Sequence, residues 1–142
     1  KYSLDNAAPN ADSPIEGKTV LFLGSSVTYG SASGGVSFAD YIGKRDGCTV
    51  IKSAVSGTTL VESGINSYVS RLKKLDAEKV DLFVCQLSTN DASQKKELGK
   101  IIESKNLNDF DTKTIAGAIE YIICYSKKEM ELPGDFLHEP AL

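Results

Sequence analysis

The chain has one histidine, three cysteines and no run of lysine or arginine longer than a pair, and each shortage excludes something. Cys48, Cys85 and Cys124 are odd in number and lack metal-ligand spacing. They argue against a disulfide framework and a cysteine-built metal site, so three buried reduced thiols are expected. The pairs Lys73-Lys74, Lys95-Lys96 and Lys127-Lys128 lie in a chain of net charge −3. They read as solvated helix and loop faces, which argues against nucleic acid as a partner. No apolar stretch is long enough to span a membrane, so no membrane partner is expected. Internal repeats and low-complexity tracts are missing too. The chain opens at Lys1 and not at methionine, which leaves a removed leader open, and with it either a cytoplasmic or a secreted soluble protein.

What is present is ordinary globular composition, 41% hydrophobic and 25% charged over 142 residues, enough for one domain with a real core. Residues 1–17, with Asn6, Pro9, Asn10, Asp12 and Pro14, read as an irregular lead-in. Residues 18–130 read as the domain and 131–142 as an atypical tail. Thr19-Val20-Leu21-Phe22-Leu23 is an apolar run of the kind buried on both faces of a parallel sheet. Cys48 to Ile51 and Val80 to Leu87 are the next two strand candidates. Between them Phe38, Tyr41 and Ile42 follow a helical period, and Ile65, Tyr68, Val69, Leu72 and Leu75 follow another. A last helix is expected from Thr112 to about Lys128, capped by Asp111 or Thr112, with a stripe of Ile115, Ala118, Ile119, Ile122 and Ile123. The alternation predicts a three-layer α/β/α fold around a parallel sheet.

Each strand candidate runs into a small polar loop: Gly24-Ser25-Ser26-Val27-Thr28, Ala54-Val55-Ser56-Gly57-Thr58 and Ser88-Thr89-Asn90-Asp91. Loops at the carboxyl ends of parallel strands converge on one crevice. A serine, a glycine whose N–H is not shielded by a Cβ, and a neutral carboxamide are suited to nucleophilic attack beside an oxyanion hole. Taken singly, each has a plainer reading: Ser26 as a turn or cap serine, Gly57 as a positive-φ turn, Asn90-Asp91 as a turn or N-cap pair. The Gly-x-Ser-x-Gly elbow of α/β-hydrolases is absent.

These three loops, in this order after their strands, resemble the first three blocks of the SGNH or GDSL hydrolases, a family of esterases and acylhydrolases, over about residues 18 to 125. The third block usually opens with glycine, where this chain has Ser88. The resemblance implies Ser26 as nucleophile, and the Ser26 N–H, Gly57 N–H and Asn90 side chain as oxyanion hole. It also implies a small acyl or acetyl ester as substrate, an acyl-serine intermediate, and no metal or organic cofactor. The family's fourth block is Asp-x-x-His, supplying the base and its orienter. Here Asp135 and His138 match it by letter, but directly after the last helix, where a fourth strand is expected. Shifting the reading frame by one nucleotide through the codons for Met130 to Pro140 permits an apolar strand-like run beginning with tryptophan. On that hypothesis His138 is an accident of the frame, the fold lacks its last strands, and activity is weak or lost. An exposed third-strand edge would then favour a homo-oligomer. The alternatives are a flavodoxin-like phosphate- or cofactor-binding module, which uses the first loop only, and a noncatalytic scaffold of the esterase fold. The polar stretch Ala92 to Asp109, anchored by Leu98, Ile101, Ile102 and Leu107, is expected either to shape a substrate pocket or to be a surface excursion.

Overall fold

The structure, a computed structural model, describes residues 3–75 and 80–130. Its elements are β1 (Thr19–Gly24), α1 (Ser26–Tyr29), α2 (Phe38–Asp46), β2 (Thr49–Ala54), α3 (Tyr68–Leu72), β3 (Leu82–Cys85), α4 (Asn90–Ser93) and α5 (Ile115–Glu129). The three strands form one parallel sheet in the order β2-β1-β3. In β1 the apolar run predicted to be covered on both faces is covered: Val20, Leu21, Phe22 and Leu23 are at most 2% exposed. Its alternation divides the core. Val20 and Phe22 pack with Ala39 of α2 and with Ile42, Val50, Leu82 and Val84. Leu21 and Leu23 face Tyr68, Val69 and Leu72 of α3 and Ala118, Tyr121 and Ile122 of α5. Each fully buried side chain of this size contributes about 1.5–3 kcal/mol.

Local signals set the helix ends. Ser37 and Asp40 form a reciprocal capping box at the start of α2, and Gly47 closes it in the left-handed conformation. The cap of α5 is Thr114, not Asp111 or Thr112. Thr112 instead donates its hydroxyl to Glu62 at 2.7 Å, and the Asp111 carbonyl accepts the Thr114 hydroxyl at 2.9 Å. The stripe of α5 is correct at Ala118 and Ile122, but Ile123 is exposed. Ile65 does not extend α3. It is 74% exposed on a loop that ends where Ser67 caps the helix, its hydroxyl accepting the Ser70 N–H. None of the three cysteines is fully buried, each being partly exposed and free. Among the described residues no helix is long and apolar enough to cross a membrane.

The lead-in packs on α2. The Tyr41 hydroxyl donates to the Ser3 carbonyl at 3.1 Å, and Asn10 bonds the Arg45 carbonyl at 2.7 Å and the Asp46 carboxylate at 3.3 Å.

Candidate functional site

The three polar loops leave the same edge of the sheet, because Leu23 is in register with Ser53 on one side and Cys85 on the other. In the first loop a Cβ on Gly24 would fall 2.0 Å from the Thr28 hydroxyl, so only glycine lets the strand turn directly into α1. Ser25 occupies the capping position without a side-chain cap bond, and Ser26 is the first helical residue, so neither acts as a capping serine. Ser26 is half-buried. Among the described residues, neither its N–H nor its hydroxyl has a protein partner.

Gly57 sits at φ +78°, as a turn glycine would. It is also solvent-exposed, its N–H has no protein partner among the described residues, and the space where a Cβ would lie is empty. Asn90 opens α4. Its side-chain amide donates to the Thr58 carbonyl at 2.9 Å, and its N–H donates to the Ser88 hydroxyl at 2.9 Å. One amide hydrogen of Asn90 is thus spent holding the second loop. Asp91 is 2% exposed, and its carboxylate accepts the N–H groups of Leu60 and Val61 at 2.8 and 3.2 Å. The Asn-Asp pair therefore brackets the chain after Gly57 in addition to making a turn.

Arg71, on α3, escaped the sequence reading and is the hub of this edge. Its guanidinium donates to the Gly24 carbonyl at 2.8 Å, the Asn66 carbonyl at 2.9 Å, the Ser53 hydroxyl at 3.0 Å and the Thr58 hydroxyl at 3.4 Å. It also lies 5.0 Å from the centre of the Tyr68 ring, a cation–π contact. Burial lowers the pKa of this guanidinium and raises that of the Tyr68 phenol. The Tyr68 hydroxyl donates to the Gln86 carbonyl at 2.9 Å, and Thr28 donates to the Gln86 side chain at 3.1 Å, so the first loop and α3 are both joined to the segment that leads from β3 into the third loop. Ser31 and Ser56 share a short hydroxyl–hydroxyl bond between the first and second. The available signal was a charged residue inside the apolar period Tyr68, Val69, Leu72. Cys85 lies next to this cluster, and burial pushes its thiol up to about 12, against the pull of Arg71. It is not a reactive thiolate at neutral pH.

Asp135 and His138 lie outside the described residues, and the described residues contain no histidine. Among them no group of His, Cys, Asp or Glu side chains could hold a metal ion. A groove of about 310 Å³ opens beside Gly57, lined by Thr58, Thr59, Ser63, Gly64, Asn66 and others, with Ile65 and Gln94 also on its walls. Only Gln94 of the stretch from Ala92 to Asp109 reaches it. Leu98, Ile101 and Ile102 do not anchor that stretch but are 45–74% exposed, leaving Leu107 packed on the core.

No protein-family model and no curated protein matches the sequence. Two solved structures match the fold. One crystal structure superposes with a TM-score of 0.68 at 24% identity, covering 83% of this chain and 56% of that one. A second, a protein from Lactobacillus plantarum, gives 0.67 at 17% identity, covering 82% and 53%. The α/β fold is shared. The chain spans little more than half the length of these structures.

Proposed function

We propose that this chain is a serine ester hydrolase of the SGNH type acting on small acyl or acetyl esters. The observation that carries the reading is the convergence of three loops on one sheet edge. There Ser26 offers a hydroxyl and N–H, and Gly57 an N–H, that have no partner among the described residues, and Asn90 offers a carboxamide. In the proposed step the Ser26 oxygen adds to the ester carbonyl while its proton passes to a base. The carbonyl oxygen takes up the negative charge and is held by those donors. The alcohol then leaves with a proton, and water releases the acyl group from Ser26.

The base is the part of this scheme that the described residues do not carry. The resemblance assigns it to an Asp-x-x-His, which here falls on Asp135 and His138. Without that base, a nucleophile and oxyanion hole retain about 10³–10⁴-fold acceleration over water, the level expected of a His138→Ala variant.

The test is labelling of the full chain by a fluorophosphonate, with p-nitrophenyl acetate hydrolysis in parallel. Ser26 is expected to carry the label, and Ser26→Ala to abolish it and lower hydrolysis at least about tenfold. A Ser26→Ala protein that hydrolyses the ester as fast as the parent would sink the reading.

A further inference from the structure

The buried phenol of Tyr68 takes no part in the chemistry above, yet Tyr68 touches all three loops that carry it. The residue is fully buried on α3, its ring beneath the Arg71 guanidinium. Its N–H donates to the Thr59 carbonyl, just past the second loop, at 2.9 Å. Its hydroxyl donates to the Gln86 carbonyl, on the way into the third loop, at 2.9 Å. The hydroxyls of Ser25, in the first loop, and Ser88, in the third, bond the same phenol oxygen and oppose the burial that raises its pKa. With the phenol proton spent on Gln86, both serines act as donors to that oxygen.

Each serine stands next to a proposed oxyanion donor. Ser25 is 3% exposed, makes no side-chain capping bond to α1 and directly precedes Ser26. The peptide unit that carries the Ser26 N–H therefore begins at Ser25, and anchoring the Ser25 side chain holds the direction of that N–H. Ser88 serves the other side. Its hydroxyl accepts the Asn90 N–H at 2.9 Å and has the phenol oxygen and the Thr58 carbonyl, at 3.3 Å, as acceptors for its own proton. The Thr58 carbonyl also accepts the Asn90 carboxamide at 2.9 Å. Glycine, which usually opens the resembled block in place of Ser88, has no side chain to make these bonds.

A buried tyrosine needs only one carbonyl to satisfy its hydroxyl, and Gln86 would suffice. The two serine contacts are additional, and they join the ends of β1 and β3. Donors stabilise a developing oxyanion best when they already converge on one point and need no reorganisation. Ser26 and Asn90 leave different strands, so their convergence requires a tie between those strand ends.

We infer that Tyr68 is a positioning residue for the oxyanion hole, its hydroxyl fixing the Ser26 turn against the Asn90 carboxamide through Ser25 and Ser88. Tyr68 itself touches no substrate. This rests on the esterase reading.

The full chain is prepared as Tyr68→Phe, which keeps the ring in the core, as Ser88→Ala and as the double variant. p-Nitrophenyl acetate kinetics and amide NMR are compared with the parent. In Tyr68→Phe, kcat is expected to fall about ten- to thirtyfold with KM within about twofold, less than the roughly 10²–10³ of deleting an oxyanion donor outright. The Ser26 N–H and Asn90 side-chain signals are expected to shift more than the N–H signals of Val20 and Leu21. The double variant should lose less than the product of the two single losses, as groups acting through one contact do. A phenol that only supports the core would lower the urea midpoint and leave kcat and those two signals at parental values, which overturns the inference, as does a fully multiplicative double loss. If Tyr68→Phe does not fold, Ser88→Ala carries the same readouts. Unmoved Ser26 and Asn90 signals in a chain whose Ser26 takes up fluorophosphonate overturn this inference alone. Signals that move in a chain whose Ser26 takes no label overturn the esterase reading and with it the role of Tyr68 in ester cleavage.

Discussion

At the scale of single residues, Arg71 shows how one side chain can tie two loops and a strand to a helix. Its planar fork reaches acceptors at the end of β1, in β2 and in the second loop, geometry that an ammonium cannot span. Arg71→Met is expected to cost about 2–3 kcal/mol in urea unfolding, with Arg71→Lys recovering less than half of it. An unchanged urea midpoint in Arg71→Met would mean that the loops hold one another without it. Asp91 acts in a similar way with opposite charge. Asp91→Ala strands two buried N–H groups and is expected to destabilise the fold by about 2–3 kcal/mol, read from the same transition. The letters Asn90-Asp91 were visible in the sequence as a polar turn. Their partners were not, because Thr58, Leu60 and Val61 lie about 30 positions away and only the folded chain brings them near.

At the scale of elements, the capping box of α2 is coupled to β2. Burial opposes ionisation of Asp40, but the Lys52 ammonium at 2.6 Å and the Ser37 N–H at 2.7 Å outweigh it and hold the carboxyl below its usual range. Lys52 also donates to the Gly35 carbonyl at 2.9 Å, so this pair pins the segment that follows α1. A carboxylate whose folded pKa is depressed contributes stability that is present above its unfolded pKa and lost as pH falls through the folded one. Stability is therefore expected to decline as pH drops below the ordinary aspartate value of 3.8. Asp40→Asn should flatten that decline while lowering stability at pH 7 by about 1 kcal/mol. Thermal unfolding of both proteins between pH 3 and 7 checks it, and parallel pH profiles would count against the pair.

At the scale of the whole molecule, β3 is an edge among the described residues, pairing with β1 alone. Leu87 just beyond it is 57% exposed, and Leu98, Ile101, Ile102 and Ile123 add further exposed apolar surface. Open strand edges and contiguous apolar surface favour association. Light scattering after size exclusion is expected to give a mass above that of one 15.2 kDa chain, rising with concentration. A concentration-independent monomer mass would show that this edge is covered within the chain.

The alternation of buried strands and amphipathic helices was written in the sequence, since a parallel sheet needs continuous apolar runs and helices need a 3.6-residue stripe. So was the placement of Ser26, Gly57 and Asn90 at strand ends. Local rules failed where a loop competed with a pattern. Ile65 continues a helical period, but Gly64 and Ser67 interrupt the helix, and Asp91 holds the preceding backbone instead. The α5 cap moved to Thr114 because Glu62, 50 positions upstream, takes the Thr112 hydroxyl. Tertiary structure alone decided that Arg71 would reach the Gly24 carbonyl, that Gln94 would meet Gly57, and that a groove would open beside it. Such contacts depend on distances between strand ends and on which hydrogen-bond donors lack a nearer partner. Neither quantity exists until the sheet has assembled.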